Sequence, residues 1–328
     1  MAVITMRDYA VGNPDPLERG MVKHYLKFFP WFEKLPIVGV NGFNSQWLVE
    51  TRMGDVGSRS LNEAFNASGV GSFERRLAPM GIIGGTVEIE RRYVEAGGRI
   101  DLAAWSMENK ARGMGYYAAN LVVNGSLASN PETFDGIQRL VTEAHARNTR
   151  QVISCGNLDL TTSTTRAQNG GQLRYFFNQG IQRVRSLSGG GPTMAIMSEN
   201  MMTALVDSLA GSGQFRTDRD IFDRGITNWN GVDLYEAGWS DPIAGTQVIS
   251  DTFDATATPP NVGTTSIFLI KAGEDDLALI RQGAMVKKPL GLDPTNGIWF
   301  RWLIEDMFGV RAKHDGCIVR LAHIDITV

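Results

Sequence analysis

Four histidines, two cysteines and one acidic triplet carry the side chains that could do metal, nucleophilic or acid–base chemistry. Their spacing supports none of it. His24, His145, His314 and His323 are scattered, with no HExxH pair to place two imidazoles on one helical face. Cys155 and Cys317 stand alone, outside any CxxC spacing, so two buried, reduced thiols are expected. No GxxxxGK phosphate loop and no GxSxG nucleophile elbow is present. Gly189-Gly190-Gly191-Pro192 has the glycines of a phosphate cradle but lacks the lysine and precedes a strand-like run, so it reads as a turn. Glu274-Asp275-Asp276 could attract a cation, yet reads better as a solvated turn. The expectation is a chain with no catalytic residue, no cofactor and no metal.

Composition narrows the class further. A hydrophobic share of 43% is enough for a core, and 20% charged residues is too few for a disordered chain. A formal net charge of -3 argues against tight phosphate binding by bulk electrostatics. Arginines number 24 against eight lysines. Arginine's planar fork suits bidentate interface pairs, although genomic base composition produces the same bias. No signal-peptide pattern and no apolar run long enough for a bilayer is seen, so folding in a cytoplasm is expected.

The elements follow from periodicity. Residues 1–14 read as an extended arm. Asp15-Pro16-Leu17-Glu18 starts a helix, with Leu17, Met21, Tyr25 and Phe28 as its stripe and Pro30 as its end. The aromatic cluster Phe28, Phe29, Trp31, Phe32 should dock on a large surface, which could be a neighbouring subunit. Residues 41–98 are rich in glycine and mixed charge, with strand-like pieces at 46–51 and 86–90. Flanking β-pattern around so little core predicts a long two-stranded excursion. A helix over 101–123 follows, capped by Asp101, with Ile100 and Trp105 as a staple. Ala104, Met107, Ala111, Met114, Ala118 and Leu121 form one continuous apolar face, which should be packed along its length, and Gly113 and Gly115 each weaken the middle by about 1 kcal/mol. Gly125 closes it. Leu173, Phe177, Ile181 and Val184 mark another helix; a strand over 193–197 then leads to Ser198 as an N-cap, and the next helix stops at Gly211. Strands are expected at 266–271, 284–287, 298–305 and 318–328.

This order resembles the major capsid proteins of tailed bacteriophages, whose α+β fold is named after phage Hong Kong 97. The resemblance spans nearly the whole chain. It rests on element order, on the helix ending at Asn124-Gly125 and on Asn130-Pro131-Glu132-Thr133-Phe134-Asp135-Gly136 just beyond it, together with Pro192-Thr193-Met194-Ala195-Ile196-Met197-Ser198. It implies an N-terminal arm and arm helix over 1–44 and an E-loop hairpin over 45–95. A peripheral domain with a spine helix would span 96–150, an axial domain 151–265, and returning peripheral strands 266–328. Phe308-Gly309-Val310-Arg311 would be the turn between the closing strands. Such a chain would be a coat protein forming hexamers and pentamers of an icosahedral head around double-stranded DNA, assembled in the host cytoplasm. Its partners would be itself, a scaffolding protein, a portal and a decoration protein, with non-specific contact to DNA. Sites would then be interfaces: Arg52, Arg59, Arg75, Arg76, Arg91, Arg92 and Trp31 between subunits, and Gly113 and Gly115 as a hinge in the spine helix. Two departures stand out. The arm helix begins by residue 15, leaving no long scaffold-like segment before it, and no lysine lies between Lys34 and Lys110 for E-loop cross-linking. An encapsulin-type shell, which uses the same fold around a cargo enzyme, is the alternative. An α/β enzyme built on 150–265 is disfavoured by the missing catalytic signatures.

Overall fold

The computed structural model describes residues 25–64, 69–95, 102–148, 150–210, 215–219, 225–255, 263–283, 285–293 and 297–326. The expected arm, the caps at Asp15 and Asp101 and the stop at Gly211 lie outside them. A helical turn at 25–28 ends before a 3-10 turn, Pro30–Lys34. There follow β1 (Ile37–Gly39), β2 (Asn44–Arg52), β3 (Ser72–Pro79), β4 (Gly81–Glu90), α1 (Arg91–Glu95), α2 (Leu102–Asn124) and α3 (Ile137–Asn148). Next come β5 (Val152–Asp159), α4 (Ser163–Ser188), β6 (Met194–Met197), α5 (Glu199–Ala210), β7 (Phe215–Arg219), β8 (Gly225–Trp229) and β9 (Val232–Glu236). The chain continues through β10 (Trp239–Asp241), β11 (Thr246–Gln247), β12 (Thr265–Ile270), β13 (Leu277–Arg281), β14 (Val286–Leu292), β15 (Trp299–Ala312) and β16 (Ile318–Asp325).

The largest sheet has the order β5-β16-β12-β6-β9-β8-β7 and is mixed. Its inner strands are apolar on both faces, so alternate residues feed two cores. Ala195, Met197, Ile267 and Leu269 pack with Leu173, Phe177, Ile181 and Val184 of α4 and Met201 and Leu205 of α5. Met194, Ile196, Phe268 and Ile270 face the other way, into a core shared with α2, α3 and the aromatic segment after residue 25. Helix α4 is fixed at both ends, by a Thr162–Thr165 capping box and by Gly189 in the left-handed conformation at φ 70. Ser198 caps α5 through Met201 N–H at 3.3 Å.

The second sheet is built on β15, with β4 along one edge and β14 then β13 along the other; β1 pairs with β13. Helix α2 lies against it. Its junction with α3 explains the Asn-Gly and Phe-Asp-Gly residues. Gly136 N–H donates to Gly125 O at 2.9 Å. A Cβ at Gly125 would meet Leu121 O at 2.4 Å, and one at Gly136 would meet the same oxygen at 2.6 Å. Phe134 is buried edge-on against Phe308, and Asp135 accepts from Leu127 N–H.

Four expectations are corrected. The excursion returns on β3 rather than at 86–90, so the two-stranded ribbon spans 44–79, while β4 belongs to the second sheet. Glycine here serves close approach rather than looping: a Cβ at Gly84 would sit 2.2 Å from Ile304 O. For the same reason residues 308–311 run inside β15, where a Cβ at Gly309 would lie 2.6 Å from Pro79 O, and the closing turn falls at 313–317. The apolar face of α2 is buried from Ala111 onward, while Ala104 and Trp105 are exposed, so the helix is not packed along its whole length. Trp31 is fully buried in its own chain. It stacks on Phe32 with centroids 4.2 Å apart and donates its indole N–H to Ala237 O at 3.3 Å, so it is no intersubunit residue.

Candidate assembly interface

The β2–β3 ribbon is the part of the molecule least explained by its own fold. Cross-strand partners Leu48 and Arg75, Gln46 and Leu77, and Glu50 and Phe73 put one alternating set on one face. Ser45, Trp47, Arg76 and Ala78 turn toward the body. The outer face carries Leu48, Phe73 and Leu77 at 70%, 67% and 55% exposure. A free face of an antiparallel ribbon is ordinarily polar, and a two-stranded ribbon is marginal by itself. Beyond Arg52 the described residues 53–64 run without strand structure, and Met53, Val56, Leu61 and Val70 are exposed as well. Large apolar side chains gathered in this number on an exposed ribbon and its loop point to an interaction site.

The arginines divide. Arg52 pairs with Asp55 at 3.1 Å, Arg59 donates to Glu63 O at 3.0 Å and Arg75 bonds Gln46 across the ribbon, all at exposed positions. Arg91 and Arg92, both exposed, open helix α1. Arg76 departs from the expectation: it forks onto Asp315 of its own chain, with contacts of 2.5 and 3.2 Å. Arg147 forks onto the same carboxylate at 2.9 and 2.7 Å. Burial alone would raise the Asp315 pKa; the two guanidiniums outweigh it and hold the carboxyl below the usual range. Sequence reasoning missed Leu48, Phe73 and Leu77. Their signal was present: Trp47-Leu48-Val49 is apolar on both faces of one strand, which a ribbon with a single buried face does not need.

The described histidines and the cysteines have partners or burial within the fold. His145 Nδ1 accepts from Val152 N–H, His314 Nε2 lies 2.6 Å from Asp276, and His323 Nδ1 lies 2.9 Å from Ser154 Oγ. Cys155 and Cys317 are free and buried, and burial pushes the Cys155 thiol up to about 12. The acidic triplet is a turn in which Asp275 is exposed beside Lys313, while Asp276 is buried and paired with Lys271 at 3.0 Å. Among the described residues no group of three His, Cys, Asp or Glu side chains could hold a metal, and no helix is long and apolar enough to cross a membrane.

The two glycines of α2 occupy different settings. A Cβ at Gly113 meets nothing within 4 Å; one at Gly115 would lie 2.6 Å from Tyr25 Cδ1. Gly113→Ala should therefore stabilise the subunit by up to about 1 kcal/mol, from helix propensity alone. Gly115→Ala should destabilise by about 1–3 kcal/mol, because the buried Tyr25 ring must move. Denaturant unfolding of the two variants checks the opposite signs.

No protein-family model matches this chain, and no curated protein matches it by sequence. Solved structures match it along nearly its whole length. The holo-SrpI encapsulin of Synechococcus elongatus PCC 7942 is 14% identical with a TM-score of 0.61, covering 100% of this chain and 98% of that one. The capsid of a native GTA particle is 11% identical with a TM-score of 0.60, covering 93% and 90%. A structure from Mycobacterium phage Bobi is 11% identical with a TM-score of 0.57, covering 92% and 90%. The fold is therefore a mixed α+β one. It is the Hong Kong 97-type fold, shared by phage capsids and encapsulin shells.

Proposed function

We propose that this chain is a major capsid protein, assembling as hexamers and pentamers into an icosahedral head around double-stranded DNA. The observation that carries the reading is the β2–β3 ribbon, whose outer face exposes Leu48, Phe73 and Leu77 with no cover for them among the described residues. Here the ribbon is the E-loop, narrower than 45–95; the second sheet with α2 is the peripheral domain, and the seven-stranded sheet with α4 and α5 is the axial domain, so β12 and β16, expected among the returning peripheral strands of 266–328, lie in the axial sheet instead. A neighbouring copy covers Leu48, Phe73 and Leu77. Heterologous contacts of this type close into rings, and repetition makes individually weak contacts strong. Scaffolding protein, portal and decoration protein are the accessory partners, and DNA is touched without sequence preference, in keeping with the net charge of -3. Within α2, Gly113 is the position free to bend, since Gly115 is filled by Tyr25.

The full-length match to an encapsulin favours a second reading, a protein compartment. Electron microscopy of purified particles, with nuclease digestion and analysis of their contents, separates the two: DNA supports the head, a protein cargo supports the compartment. A monodisperse monomer at high concentration would defeat both. The ribbon contains no lysine. Particles boiled in detergent should accordingly release one band near 36.0 kDa. Covalent oligomers on that gel would contradict this expectation.

A further inference from the structure

We infer that Asp315 is a latch that fixes the angle of the β2–β3 ribbon against the body of the subunit. Its carboxylate receives two bidentate forks, Arg76 from β3 and Arg147 from the end of α3. Three separate elements thus meet at one side chain. Bidentate guanidinium–carboxylate pairs fix direction as well as distance. Two further bonds tie the root of the ribbon to the same stretch of chain. Trp47 Nε1 donates to Lys313 O at 2.9 Å, and Arg311 Nη1 donates to Ser45 Oγ at 3.2 Å.

The turn that carries Asp315 is itself anchored. His314 lies 2.6 Å from Asp276, which also pairs with Lys271, and Lys313 pairs with Asp275. The ribbon is held to the body at its root. Its strands pair with each other and with no other strand among the described residues. Behind its root lies an open cavity of about 270 Å³, bordered by Trp47, Arg76 and Ala78 on one side and Leu140, Ala144 and Arg147 on the other. Space without packed atoms offers no dispersion contacts to resist a swing. Ala78 and Trp47 at the root pack with Met80, Ile280 and Val38; across the cavity, where packed atoms are missing, the charged bonds at Asp315 fix the angle. Glu74 and Glu143 also border the cavity, and Glu74 lies 3.8 Å from Arg76 Nε; it is a weaker alternative partner once Asp315 is removed.

The latch is an intramolecular property and stands apart from any assembly. Its consequence rests on the shell reading: the ribbon's angle sets how the next copy is met, and so the curvature of the shell.

The test is a distance measurement between spin labels at Glu50→Cys on the ribbon and Tyr175→Cys on α4, in full-length chain diluted with unlabelled chain. Both sites are exposed, and the native Cys155 and Cys317 are buried. The parent should give one narrow distance distribution. Asp315→Ala, Asp315→Asn and Arg76→Gln should each lose the narrow peak and broaden. Asp275→Asn, which frees Lys313 but touches no ribbon residue, should keep it. A distribution as narrow in folded Arg76→Gln and Asp315→Asn as in the parent overturns the latch, even if Asp315→Ala fails to fold. Broadening in chains that form no particles keeps the latch and removes the shell reading; normal particles with unbroadened distributions do the reverse.

Discussion

Arg320→Met should cost the unassembled subunit about 3–5 kcal/mol, the largest single-residue loss we expect here. Arg320 and Asp254 are both fully buried, with Nη2 and Oδ1 2.8 Å apart. Asp254 also accepts from Ser266 Oγ at 2.5 Å, Thr264 Oγ1 at 3.1 Å and His323 N–H at 2.7 Å, and Arg320 Nε donates to Ser266 Oγ. To turn its N–H onto that carboxylate, His323 takes a left-handed φ of 64 inside β16, at a bulge in the pairing with β5. Backbone strain at a non-glycine residue costs of order 1–3 kcal/mol and persists where surrounding structure over-determines it. Burial pulls the Arg320 pKa down and Asp254 pushes it back up. An arginine nonetheless remains charged. Removing the cation leaves a carboxylate in the core without its counter-charge. Removing both, as Asp254→Leu with Arg320→Met, should cost clearly less than the single change, because no uncompensated charge remains. Denaturant titration of the subunit measures both. A loss below about 1 kcal/mol for Arg320→Met would show that the network holds little.

The second large effect is on assembly rather than on folding. Changing Leu48, Phe73 and Leu77 together to serine should abolish particles while leaving subunit stability within about 0.5 kcal/mol of the parent. All three are largely exposed in the single chain, so the fold does not depend on them. Fully covering a large apolar side chain yields about 1.5–3 kcal/mol, and a closed shell repeats that gain at every subunit. Rings and particles counted by electron microscopy and sedimentation provide the readout. Normal particle yield from the triple variant would mean that a copy of this chain does not cover the ribbon face. Charge reversal at Arg75 should weaken assembly less, since exposed ion pairs are worth about 0–1 kcal/mol.

What the chain specified by itself was local. Helix α2 was legible because its apolar residues recur at helical spacing and Gly125 ends it; α4 and α5 were legible for the same reason, β12 from a short apolar run and β16 from apolar alternation. The absence of catalytic motifs and the gap in lysines needed only the order of residues. What tertiary structure decided was pairing and close approach. Gly84 and Gly309 read as breaks in a linear pattern, yet each lies in a strand because a neighbouring backbone passes where a Cβ would stand. Trp31 read as a docking aromatic, and the surface it docks on belongs to its own chain. Arg76 read as one exposed charge in a mixed run, but its partner lies 239 residues away. The Asp254–Arg320 network likewise joins residues 66 apart. Periodicity reports which face of an element is apolar; it carries no information about what meets that face. Pairing across the chain depends on how the elements stack, and that is set by the summed packing of both cores.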